Sequence, residues 1–115
     1  MATSETRLQQ DCVVWFKNTF PDLRLVLWHT ENEGKRNGRQ QMIFKTMGGC
    51  SGVADLLFFY GGELYAFELK TAKGRQSPTQ KEWQKAIEKQ GATYRIVRSI
   101  GEFKYYINGI VNSAA

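Results

Sequence analysis

The chain has 115 residues and a formal net charge of +5, which suits one modest core and favours an anionic partner such as nucleic acid. Its 42% hydrophobic and 13% aromatic content excludes a disordered chain. No apolar run approaches the roughly 18 residues of a membrane span, and two cysteines, Cys12 and Cys50, are too few for a disulfide framework or a zinc site. The polar opening MATSETRLQQ has no apolar signal segment, so a cytoplasmic protein with reduced thiols is expected.

The first element is an amphipathic helix from Ser4 to Phe20. Leu8, Cys12, Trp15, Phe16 and Phe20 recur at helical spacing, Ser4 can cap the start, and Pro21 follows the end. Glu5 stands one turn ahead of Leu8, where a carboxylate either complements the helix dipole or belongs to a site. Leu23 to His29 reads as a strand, and the polar, glycine-containing TENEGKRNGR as a loop. Gln40 to Met47 can form a short helix that Gly48 and Gly49 stop.

Two apolar strands then flank Gly61-Gly62. Beyond the loop TAKGRQ, Ser77, Pro78 and Gln80 mark a helix start with a cap, a proline at the first position and a capping-box glutamine. That helix runs to about Gln90, with Trp83, Ala86, Ile87 and Gln90 able to face the core. Lys81, Lys85 and Lys89 form one basic stripe, which a solvated face explains. Thr93 to Arg98 is a strand and Ile100 to Ile110 a closing helix. The order α, β, (α), β, β, α, β, α implies one α/β domain over residues 1–115, a mixed sheet flanked by helices.

The hairpin carries the chemistry. A two-residue turn at Gly61-Gly62 places Tyr60 beside Glu63. Counting back sets Asp55 opposite Glu68 and Val53 opposite Lys70. Strand alternation puts Val53, Asp55, Leu57, Phe59, Leu64, Ala66, Glu68 and Lys70 on one face. Ala54, Leu56, Phe58, Tyr60, Glu63, Tyr65, Phe67 and Leu69 share the other. Both faces are largely apolar, as in strands covered on both sides. Opposed carboxylates with Cβ atoms roughly 5 Å apart repel and need a compensating cation. Lys70 alone could make a structural ion cluster, whereas a divalent metal compensates more fully, since hard cations favour carboxylate oxygens.

Asp55, twelve intervening residues and then Glu68-Leu69-Lys70 match the PD-(D/E)XK nuclease pattern, with Ala54 where its proline usually stands. Further segments resemble the VRR-Nuc family in order along nearly the whole chain. They are His29 to Arg36, Gly52 to Leu56, Phe67 to Lys70, Ser77-Pro78-x-Gln80-x-x-Trp83, Tyr94 to Ser99 and Glu5-x-x-x-Gln9. The chain looks like a minimal stand-alone member of the phage and bacterial kind.

The resemblance implies a restriction-endonuclease-like fold and Mg²⁺- or Mn²⁺-dependent cleavage of DNA, with branched substrates such as Holliday junctions and a homodimer. It assigns Asp55, Glu68 and the Leu69 carbonyl to the metal, with Glu5 as a further candidate acting through water. It makes Lys70 the catalytic lysine and Gln80 a motif residue, counted with the DNA-binding residues, that also serves the capping box. Lys35, Arg36, Arg39, Lys73 and Arg75 are candidate phosphate contacts, with ordinary solvated loop charge as their plain alternative. His29, the only histidine, is either a strand-end structural residue or a supporting group at the DNA. The competing class is a non-cleaving DNA-binding module on the same fold, and an ion-paired interaction domain is a third.

Overall fold

The computed structural model describes residues 4–30 and 37–113. Helix α1 spans Glu5–Thr19, with the Ser4 hydroxyl accepting from the Arg7 N–H at 3.1 Å. The Phe20 N–H closes its end on the Phe16 carbonyl. Strand β1 (Leu27–His29) follows, then α2 (Gly38–Thr46), β2 (Leu56–Tyr60), β3 (Glu63–Leu69), α3 (Pro78–Lys89), β4 (Thr93–Val97) and α4 (Ile100–Ser113). The four strands form one sheet in the order β1-β2-β3-β4. Neighbours are antiparallel except β3 and β4, which are parallel and joined through α3.

The first strand is shorter than the Leu23–His29 expected. Pro21–Leu23 is a 3-10 turn, and the Leu23 and Val26 N–H groups bond to the Phe20 and Leu23 carbonyls. Those local bonds withdraw the backbone from the ladder until the Val26 carbonyl accepts from Phe59 N–H at 2.9 Å. Helix α2 starts two residues earlier than expected, because Asn37 and Gln40 form a reciprocal capping box. None of its side chains is buried, and Met42, Ile43 and Met47 are exposed. The closing helix continues to Ser113, three residues past its expected end.

Leu8, Cys12 and Phe16 of α1 and Phe103 and Ile107 of α4 bury one side of the sheet against Leu56, Phe58, Phe67 and Leu69. Edge-to-face ring pairs lock this layer, with centroids 5.4 Å apart for Phe16–Phe58 and 5.3 Å for Phe67–Phe103. Burial pushes the Cys12 thiol up to about 12, so it packs as a neutral apolar group.

On the other side, Ala54, Ala66 and Tyr94 pack with Leu57, Trp83, Ile87 and Ile96. Ala86 and Gln90 are exposed, contrary to the expectation that they face this core. Helix α3 covers less of the sheet than expected, and Trp28 and Phe59 are left 44% and 49% exposed. Strand alternation had set Ala54 with Leu56, yet Ala54 joins the α3 side. The ladder stops at Leu56, and the chain bends at Asp55, which resets the alternation.

Candidate active site

The turn sets the register. Gly61 and Gly62 have φ of +60° and +80°, the mirror-image turn that glycine adopts without strain. Tyr60 consequently pairs with Glu63 and Leu56 with Phe67, in the register the sequence implies. Asp55 lies one residue beyond the last ladder pair, so it does not oppose Glu68 as a cross-strand partner. Its carbonyl accepts from Thr30 N–H at 3.0 Å, and its carboxylate Oδ2 accepts from Leu69 N–H at 2.8 Å. The side chain thus ties the end of β2 to β3 where regular pairing has ceased.

Glu68 is 1% exposed and Lys70 is 7% exposed. The Lys70 ammonium lies 3.4 Å from Glu68 Oε2, and the Gln80 amide Nε2 donates to the same oxygen at 3.0 Å. Glu68 Oε1 is also buried and has no hydrogen-bond partner among the described residues. Burial, and after it the Asp55 negative charge, pushes the Glu68 carboxyl up to about 8, while Lys70 pulls it the other way. With both acids ionised, the pair would carry more negative charge than one ammonium offsets, which is why the metal-free site favours a proton on Glu68.

Gln80 reaches Glu68 because the start of α3 is fixed twice. The Ser77 hydroxyl accepts from Gln80 N–H at 3.2 Å, and Gln80 Oε1 accepts from Ser77 N–H at 2.8 Å. One amide thereby closes the capping box through its oxygen and holds the buried acid through its nitrogen. Gly52, at φ +83°, presses against this turn. A Cβ there would run into the Thr79 carbonyl and the Gln80 nitrogen.

Asp55, Glu68, Lys70 and Gln80 line a groove of about 700 Å³ whose other wall is α1, through Glu5, Thr6, Gln9, Gln10, Val13 and Val14. Glu5 is exposed in the first turn of α1 and faces that groove across from the two acids. The helix-dipole and site readings of Glu5 are therefore compatible. His29 also lines the groove. Its Nδ1 lies 3.0 Å from the Asp55 carbonyl and 2.9 Å from the Gln9 amide. The Gln9 atom in that contact is the amide nitrogen Nε2, so Nδ1 either accepts from Gln9 or, when it carries the proton, donates to the Asp55 carbonyl, according to the tautomer. Sequence spacing did not connect His29 with Asp55. The β1–β2 register that sets His29 beside Leu56 supplies the link.

The donor set suits a hard cation: two carboxylates, one with a buried unpartnered oxygen, in a cleft that also presents Glu5. Among the described residues no group of three or more His, Cys, Asp or Glu side chains is arranged to hold a metal. Backbone carbonyl or water oxygens would complete the shell.

The basic candidates are distributed. Lys73 and Arg75 are exposed on the loop after β3, and Arg39 is exposed in the first turn of α2. Lys35 and Arg36 lie outside the described residues. Lys81, Lys85 and Lys89 are exposed on α3, as a solvated face requires. Arg98 was not singled out by spacing. Its guanidinium Nη1 donates to the Thr71, Ala72 and Gly74 carbonyls at 2.7, 3.4 and 2.8 Å.

No family model matches the chain, and no curated protein matches it in sequence. A solved structure described as a "VRR_NUC domain protein" matches it with a TM-score of 0.78 and 20% sequence identity. The match covers 97% of this chain and 91% of that one. At that identity the likeness speaks for architecture, and this chain has the VRR-Nuc fold, a mixed four-stranded sheet flanked by helices.

Proposed function

We propose that the chain is a VRR-Nuc family nuclease, a single-domain Mg²⁺- or Mn²⁺-dependent DNA endonuclease acting on branched DNA such as Holliday junctions. The observation that carries this reading is the buried Glu68, with one orphaned oxygen, between Asp55 and Lys70 in an open groove. A DNA-binding module or an ion-paired scaffold has no need of two adjacent acids with a single cation. The net charge of +5 fits a polyanionic substrate.

Asp55, Glu68 and the Leu69 carbonyl would hold the divalent ion, with Glu5 reaching it through water. When bound, that ion neutralises charge on the scissile phosphate and acidifies a water. Gln80 fixes the Glu68 side chain by occupying Oε2, which leaves Oε1 available as a ligand. Lys70 orients the attacking water and offsets the charge that gathers on the phosphate oxygens during P–O cleavage. The His29 imidazole, anchored through Nδ1, and Gln9 brace the Asp55 backbone against α1. Lys73 and Arg75 would contact phosphates flanking the cut, together with Lys35, Arg36 and Arg39.

Cleavage of both strands at a symmetric junction suits a C2 homodimer. Exposed apolar side chains of α2 and the uncovered Trp28 and Phe59 offer surface for one. A bacterial or phage-infected cytoplasm, where divalent ions and DNA are both at hand, is the matching location.

The test is to incubate the protein with labelled duplex, flap and four-way-junction DNA in Mg²⁺, Mn²⁺ or EDTA. Metal-dependent cutting, strongest on the junction, is the expected result. Salt-sensitive binding without cutting in any metal would support the non-cleaving module instead.

A further inference from the structure

The loop after β3 is shaped by a residue from another strand end. Arg98 directly follows β4, and its backbone N–H is held by Glu102 Oε1 at 2.6 Å. From there its Nη1 gathers the Thr71, Ala72 and Gly74 carbonyls. Among the described residues the Arg98 guanidinium has no ion-pair partner, so its charge is directed at those carbonyl dipoles. The gathered segment closes on itself through Gly74 N–H to the Thr71 carbonyl at 3.1 Å.

Gly74 is thereby brought against the Lys70 stem. A Cβ on Gly74 would lie 3.4 Å from Lys70 Cδ and 3.2 Å from Thr71 Oγ1. The Lys70 backbone is fixed independently, through its N–H to the Val97 carbonyl at 3.0 Å. With its backbone pinned by β4 and its stem covered by the loop, the lysine has little freedom except to present Nζ to Glu68.

We propose that Arg98 is a positioning residue for Lys70. It folds the 71–74 turn over the lysine stem and so keeps the ammonium on Glu68. The catalytic part of this inference rests on the nuclease reading above, while the conformational part stands apart from it.

The experiment is amine-labelling footprinting by mass spectrometry on wild type, Arg98→Ala and Arg98→Lys, each shown to be folded by near-UV circular dichroism. In wild type the buried Lys70 should be protected and the exposed Lys73 labelled. We expect Arg98→Ala to raise Lys70 labelling about tenfold without changing Lys73, since local openings replace a closed turn. Arg98→Lys, which keeps the charge but not the planar fork, should show a smaller rise. Should Arg98→Ala not fold, Arg98→Lys decides, and slow exchange of the Gly74 amide in wild type is required as well.

In cleavage assays Arg98→Ala should lower turnover about tenfold with little change in KM. It should have no further effect in a Lys70→Ala background, as residues acting through one another are non-additive. Continued Lys70 protection in a folded Arg98 variant, or independent effects of the two substitutions, overturns the inference. Absence of cleavage by wild type would defeat the nuclease reading and leave the footprint to judge the positioning role.

Discussion

The Gln80 side chain donates to Glu68 Oε2 at 3.0 Å while its own oxygen accepts from the Ser77 N–H at 2.8 Å. A residue that begins a helix thus also sets the rotamer of a buried acid. The position of α3 and the geometry of the site are one structural problem, which makes the site sensitive to substitutions that touch no substrate.

Gln80→Ala removes both bonds. It leaves Glu68 Oε2 with Lys70 alone and Ser77 N–H without its acceptor, while the Ser77 hydroxyl still caps the helix, so a loss of about 2 kcal/mol is expected from the two broken hydrogen bonds, one of them to a buried charged group. Urea unfolding measures that loss. Turnover should fall as well, and Gln80→Glu, which adds a third acid beside Glu68, should be worse than Gln80→Ala.

Gly52→Ala tests the contact between the bend before β2 and the start of α3. Its φ of +83° and the backbone of Thr79 and Gln80 leave no room for a methyl group. A cost of about 2–3 kcal/mol, from strain and displacement of α3, is expected in the same unfolding assay. At Gly61 the expectation differs, because nothing crowds its Cβ position. Gly61→Asn should be nearly neutral and Gly61→Val clearly destabilising, since asparagine tolerates the left-handed region and β-branched side chains do not.

Glu68 gives the metal-free protein a pH signature. Its carboxyl is raised from 4.5 to about 8 in the folded chain. Between those values the native state holds a proton that the unfolded chain has released, so stability falls as pH rises through that window. Thermal melts in EDTA should show a falling midpoint from about pH 5 to pH 8, and Glu68→Gln should flatten that slope. Mg²⁺ or Mn²⁺ should restore the midpoint most strongly at the high end, where the proton no longer competes.

Much of this was legible in the sequence because short-range rules govern it. The Gly61-Gly62 turn fixed the hairpin register, and Ser77-Pro78-x-Gln80 fixed the start of α3. Asp55, Glu68 and Lys70 stood out as charges in an apolar hairpin. What remained hidden depends on contacts between distant segments. Nothing local says that the Leu23 and Val26 N–H groups bond backwards and shorten β1. Nor does strand alternation foresee the bend at Asp55, which moves Ala54 to the α3 side and turns the carboxylate onto Leu69 N–H. His29 at the Asp55 carbonyl and Arg98 over the 71–74 turn each join segments more than twenty residues apart. Only the assembled sheet brings them together.

The central claim is that Asp55, Glu68 and Lys70 form a metal-dependent phosphodiesterase site. The direct measurement is the single-turnover cleavage rate of a labelled four-way junction in Mn²⁺ by wild type, Asp55→Asn and Lys70→Met, with each variant's melting transition recorded alongside. The account predicts cleavage by wild type that EDTA abolishes, and a loss of about a thousandfold in both folded variants. Variants that cut at the wild-type rate, or cutting that persists unchanged in EDTA, would contradict it.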